Sequence, residues 1–98
     1  MSTLFNFIPL PQGTVSGAVG VTASDITIAP GAGALRLVNI GTQVIFWKLN
    51  SGGASLSTDT PLLPNSAEIF SCPPGTSKIS AIAASVGSTL YVTPGTGN

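Results

Sequence analysis

The chain has 98 residues, of which 43% are hydrophobic and only 6% are charged, and its net charge is zero. This composition excludes a disordered chain, which combines low hydrophobicity with high charge, and its three basic residues are too few for a nucleic-acid footprint. No run approaches the ~18 apolar residues of a membrane span. A surface so poor in charge favours a single small domain that partners cover, over the alternative of a Ser/Thr-rich surface domain.

Residues 1–13 differ from the rest of the chain because they are strongly apolar and hold two prolines. Pro9 and Pro11 forbid a helix interior and remove two backbone donors, so we expect an extended N-terminal arm. The arm either folds back on its own core as a short edge strand or docks on a neighbouring subunit, and the prolines favour docking. The residues predicted to form this partner interface are Leu4, Phe5, Phe7, Ile8 and Leu10.

Residues 14–98 are predicted to form one β-sandwich domain. Residues 14–24 alternate apolar and small or polar side chains, which predicts a strand with one buried face. Residues 25–28 are predicted to be a second short strand. Its apolar positions have the opposite parity, so we expect a turn or bulge near Ser24 and Asp25.

Residues 34–49 are predicted to be the centre of the domain, as two strands joined by a turn. Leu35 and Leu37 share one face of the first strand, and Asn39 and Gly41 tolerate the positive φ with which a chain reverses. Both faces of the second strand are apolar, so we expect a facing sheet on one side and another cover on the other. The residues predicted to lie in the core or in an interface on this strand are Val44, Phe46, Trp47 and Leu49.

The second half of the chain continues with short strands separated by turns. Residues 50–60 are predicted to be the longest exposed loop, because they are polar and contain glycines. Strands are predicted at 65–72, 78–85 and 89–93, followed by a tail at 94–98. A series of short strands with no convincing helix predicts an all-β antiparallel sandwich or barrel.

The residue types that carry most enzyme chemistry are sparse. The chain has no histidine, so a Ser-His-Asp or Cys-His arrangement cannot be built. Nothing in the sequence indicates that two of the carboxylates Asp25, Asp59 and Glu68 meet, as a glycosidase would require. We therefore predict no catalytic residue, no metal ligand and no cofactor site.

The remaining candidates have structural interpretations that we prefer. Cys72 is the single cysteine, which fits a protein made in a reducing cytoplasm, and we expect a half-buried structural thiol. Trp47 and Tyr91 could stack on a sugar, but the apolar neighbours of Trp47 favour core packing.

A set of turn and strand segments stands out in the last two thirds of the chain, namely 36–42, 44–48, 74–76, 79–84 and 90–97. Together these segments resemble small virion proteins of tailed bacteriophages. The resemblance covers roughly residues 14–97 and is strongest in the final strand with its Pro-Gly tail, and the arm lies outside it. Capsid decoration (cement) proteins best fit the size and charge. This resemblance implies a β-sandwich or jelly-roll-like subunit, oligomers on the shell, and no catalysis.

The expected function is therefore that of a structural virion protein, made in the cytoplasm of the host bacterium and located on the capsid surface. It would decorate and stabilise the capsid by bridging major capsid protein subunits. Its expected partners are that protein and further copies of itself, as a dimer or trimer, with no nucleic acid and no membrane. Two alternatives remain, namely a tail or head-completion component and a small carbohydrate-binding module.

Overall fold

The computed structural model describes residues 7–28, 33–50, 52–73, 75–85 and 87–96, and the regular secondary structure of these ranges is β-strand throughout. The predicted all-β class is thus confirmed. The strands are β1 (Ile8–Pro9), β2 (Val15–Val19), β3 (Ser24–Thr27), β4 (Ala34–Gly41), β5 (Ile45–Leu49), β6 (Thr60–Leu62), β7 (Ser66–Ser71), β8 (Lys78–Ala83) and β9 (Ser88–Thr96).

The strands form two antiparallel sheets that share one core. Sheet A has the order β1-β9-β4-β7, and β2 pairs with β9 on the same side as β1. Sheet B has the order β3-β8-β5-β6. Each strand from β2 to β9 lies in the opposite sheet from its neighbour in sequence, except that β5 and β6 pair within sheet B.

The core lies between the sheets and is almost entirely aliphatic. Trp47 on β5 and Phe70 on β7 link the sheets, with ring centroids 4.8 Å apart and an interplanar angle of 60°. Such a tilted aromatic pair contributes beyond the area that it buries. The buried members of the core are Val19, Ile26, Ile28, Leu35, Leu37, Ile45, Trp47, Leu62, Ile79, Ala81, Ala83, Leu90 and Val92.

The two strands at 34–49 do exist, but the connection between them crosses from sheet A to sheet B. The buried Asn39 side chain secures the crossing, because its Nδ2 donates to the carbonyl oxygens of Gln43 (2.8 Å) and Leu62 (3.0 Å). The expectation of positive φ at Asn39 and Gly41 is wrong. Glycine is needed at position 41 for close approach, because a Cβ there would lie 2.5 Å from the Cα of Ser88.

The prediction that the last strand ends at Thr93 and leaves a tail is also wrong, because β9 continues to Thr96 with Pro94 and Gly95 buried. A proline inside a central strand normally removes a ladder hydrogen bond. Here the Pro94 carbonyl accepts from the Leu10 N–H (2.9 Å), so the polar groups of Pro94 face the β1–β2 side. The backbone N–H that proline lacks would therefore point to the place where the edge chain passes from β1 to β2. The hydrogen bonds between β9 and β4 are unaffected.

Two further boundaries differ from the predictions. The strand predicted at 14–24 ends at Val19, and Val21 is exposed at the corner where the chain passes from sheet A to sheet B. This change of sheet explains the change of parity before β3. The loop predicted at 50–60 gives way to β6 at Thr60, a strand that the sequence reading missed because Pro61 interrupts its pattern.

Candidate interaction face

The outer face of sheet A, which we call the open face, is formed by four strands. The cross-strand register places its residues side by side, and no part of the described chain folds over its centre. It consists of Thr14, Ser16 and Ala18 at the β2 edge, Thr89, Tyr91 and Thr93 on β9, Arg36, Val38 and Ile40 on β4, and Ala67 and Ile69 on β7.

Tyr91 lies at the centre of the open face. Ser16 on β2 and Val38 on β4 are its cross-strand partners. The side chains of Tyr91, Ile40 and Ile69 are 38%, 54% and 42% exposed. Several large apolar side chains exposed on one sheet face are more typical of interaction sites than of free monomer surfaces.

The charged residues of the chain are distributed unevenly between the two sheets. The open face carries one charge, Arg36, whereas four of the six charged residues in the sequence lie on the side of sheet B. Depletion of charge is the compositional signal of an interface core. The four residues on the side of sheet B are Asp25, Lys48, Asp59 and Lys78.

The outer face of sheet B is partly covered by residues 52–59, which we call the covering loop. The Ala54 N–H donates to Ser80 Oγ on β8 (3.1 Å), and Ala54 and Ser80 are both buried. The loop is shaped by Asp59, whose Oδ2 accepts from the Ser55 N–H at 2.6 Å. The cover that we expected for the second face of β5 is thus supplied in part by the chain itself.

The free edge of sheet A at β7 carries a charge that discourages edge pairing. Glu68 is opposite Leu37 in the register, so its side chain points to the core side, yet it is exposed. A charge pointing inwards on an edge strand is one of the ways in which β-proteins prevent unwanted sheet extension. The β7 edge is therefore poorly suited to pairing with another strand.

The predicted arm residues fall partly outside the described residues. Leu4 and Phe5 belong to that undescribed part. Ile8 is in β1 and is 62% exposed, while Phe7 and Leu10 are half-buried. The structure thus places residues 7–10 against their own sheet A, as in the edge-strand alternative.

The predicted residues of β5 do not contribute to the open face. Trp47 is buried between the sheets and Leu49 packs at the margin of the core. Val44 and Phe46 are half-buried on the outer side of sheet B. Sequence reasoning missed the open face, although the alternation in 36–40 and 89–93 marks the residues that point away from the core.

No pocket and no group of three or more His, Cys, Asp or Glu side chains that could hold a metal ion is found among the described residues. No described helix is long and apolar enough to cross a membrane. The comparisons with family models, curated proteins and solved structures give no match to this chain.

Proposed function

We propose that this protein is a structural virion protein that decorates and stabilises a bacteriophage capsid by bridging major capsid subunits. The observation that carries the proposal is the open face, which holds a single charge and exposes the large side chains of Tyr91, Ile40 and Ile69. In this proposal the open face is the surface that contacts the shell. The resemblance of roughly residues 14–97 to small virion proteins supports the choice of the shell as the partner.

The strand order supports a jelly-roll classification of the subunit. With β2 to β9 taken as eight strands, the two sheets read β2-β9-β4-β7 and β3-β8-β5-β6. Two sheets of four antiparallel strands favour a double-sheet jelly roll, an architecture that recurs in viral capsid proteins and lectins. A fold of this kind supports the proposal only by analogy, because many functions share it.

The size of the open face favours multivalent binding. Four strands ~4.8 Å apart and about seven residues of ~3.3 Å rise give a flat area of roughly 400 Å². Stable interfaces need about 800 Å² from each partner, so one copy would bind weakly. Linking copies raises avidity by about 10²–10⁴ without new contacts, which favours a dimer or trimer that spans neighbouring capsid subunits.

The experiment that tests the function uses capsids produced without this protein. A bridging protein binds the assembled shell and not the separated subunits, so it stabilises the shell by mass action. Capsids lacking the protein are expected to open at a lower temperature, and adding the purified protein back is expected to restore the opening temperature. Equal heat stability with and without it, or labelling of the tail alone, would favour the tail or head-completion alternative.

The contact surface is tested with a double variant and a matched control. Tyr91→Ala with Ile40→Ser is expected to keep the fold and to lose binding to capsids. Val21→Ser removes an equally exposed apolar side chain away from the open face, at the corner between β2 and β3, and is expected to bind normally. If both proteins bind like the wild type, another surface contacts the shell.

A second candidate function, a carbohydrate-binding module, is supported by the surroundings of Tyr91. The exposed Tyr91 ring lies on the open face together with several hydroxyl groups. These include Thr14 and Thr93, whose Oγ1 atoms are 2.9 Å apart. Sugars stack on aromatic rings and bond to such hydroxyls. A glycan array on which the wild type binds and Tyr91→Ala does not would support this function, and an array with no binding would remove it.

A further inference from the structure

The short strand β1 occupies a shaped site on β9. Ile8 and Pro9 pair with Thr96 and Gly95, and the Leu10 N–H donates to the Pro94 carbonyl oxygen at 2.9 Å. The Phe7 ring fills the space where Gly95 lacks a side chain, because a Cβ at Gly95 would lie 2.6 Å from Phe7 Cζ and would also meet the Ile8 carbonyl oxygen. We call this part of β9, residues 94–96, the seat.

The connection between β1 and β2, residues 11–14, is a strained hinge. Gln12 has a φ of 56°, in the left-handed region that side chains other than glycine rarely adopt. The hinge is a tight turn, in which the Gly13 N–H donates to the Leu10 carbonyl oxygen at 3.1 Å. Its four residues stand opposite Thr93 alone on β9, between the Leu10–Pro94 contact and the Val15–Val92 pair.

We propose that residues 1–10 are exchanged between copies of this chain, so that β1 of one copy occupies the seat of a second copy. The exchanged β1 makes the same hydrogen bonds and the same Phe7–Gly95 contact as in the closed monomer, and opening the hinge releases Gln12 from its positive φ. Exchange of an identical element is a low-cost route to dimers. This inference does not depend on the proposed capsid function.

Protein concentration sets the extent of exchange, because the closed monomer and the exchanged dimer make the same β1 contacts. Formation of a dimer follows mass action, so the exchanged fraction rises with concentration. Exchange is therefore expected to be partial in dilute solution and nearly complete at high concentration.

The test places one cysteine in β1 and one in the seat, in purified full-length protein carrying Cys72→Ser. Ile8→Cys with Thr96→Cys is oxidised at low and at high protein concentration and examined on a non-reducing gel. We expect disulfide-linked dimers whose yield rises with concentration. Cross-linked monomers at every concentration, or no cross-link at all, would overturn the proposal. The matched control, Ile8→Cys with Thr89→Cys, uses a position on β9 far from Ile8 and is expected to give no such dimer.

Two single variants test the seat and the hinge without cysteines. Gly95→Ala is expected to abolish the dimer in light scattering while circular dichroism stays normal, whereas Gly33→Ala, where a Cβ meets nothing within 4 Å, retains it. Gln12→Gly removes the strain and is expected to lower the dimer association constant by at least roughly fivefold. Unchanged association in both Gly95→Ala and Gln12→Gly would mean that any dimer forms without exchange.

Discussion

The two outer faces of this sandwich are built from similar strands but differ in their charges and in how much of each the chain itself covers. On sheet B the covering loop lies over Ser80, and the Lys78 ammonium forms an ion pair with Asp25 (3.4 Å). On sheet A the equivalent surface carries Arg36 as its single charge and leaves Tyr91 exposed. A chain with only six charged residues places four of them on the side that it also covers. In the proposed function, sheet B faces solvent and the open face contacts the shell.

The largest expected effect comes from breaking the contact that joins the two sheets. Trp47→Ala removes the ring that packs on Phe70, and it is expected to lower the free energy of unfolding by about 3–5 kcal/mol. For a domain of this size that is a large fraction of the total stability. Urea denaturation followed by circular dichroism measures the loss.

Trp47→Phe is the control for this substitution, because it keeps an aromatic ring and removes the indole N–H, which has no partner among the described residues. Trp47→Phe is expected to lower the free energy of unfolding clearly less than Trp47→Ala does. A Trp47→Ala protein with wild-type stability that no longer assembles would place the function of Trp47 in an interface instead.

The comparison of the two faces is sharpened by one substitution made on each. Ser80→Ala deletes the oxygen that accepts from the buried Ala54 N–H, and leaving that donor unsatisfied is expected to cost about 1–3 kcal/mol. Ser16→Ala on the open face changes an exposed hydroxyl and is expected to stay within about 0.5 kcal/mol of the wild type. Thermal unfolding of both variants measures these changes in stability. Equal losses of stability in the two variants would contradict the distinction between a covered and an open face.

The smallest effect is expected for the ion pair on sheet B. Asp25 and Lys78 are both well exposed, and exposed pairs contribute about 0–1 kcal/mol. Asp25→Asn is therefore expected to shift the unfolding midpoint only slightly, and the difference from wild type should shrink in high salt. A loss above about 2 kcal/mol would show that Asp25 supports the covering loop as well as the pair.

The class of the fold followed from the sequence because strand signals are local. Alternation and β-branched residues located β4, β5, β7 and β8 to within a few residues. The Pro-Gly turn between β7 and β8 was also located correctly. The core position of Trp47 followed equally from its apolar neighbours.

The errors lie where long-range contacts override local signals. Pro94 reads as the start of a tail, yet β1, β4 and Phe7 enclose this end of the chain and make it strand. Asn39 was predicted to be a turn residue, yet it lies in β4 and its side chain hydrogen-bonds to the connection that crosses from sheet A to sheet B. The open face was missed because the sequence pattern shows which residues point outwards but not which outer face the chain itself covers.

The position of β9 also has a consequence for how the chain folds. This strand is the last of the described strands in chain order, yet it stands in the middle of sheet A, between β2 and β4. The ladder between β4 and β7 can form without it, but β1 and β2 pair with β9 and have no ladder in sheet A until residues 88–96 have left the ribosome. Closing contacts as distant as Ile8 with Thr96 is slow, on the order of milliseconds to seconds for such topologies. The β1 and β2 side of sheet A is therefore expected to form last, with its apolar side chains exposed until β9 is available.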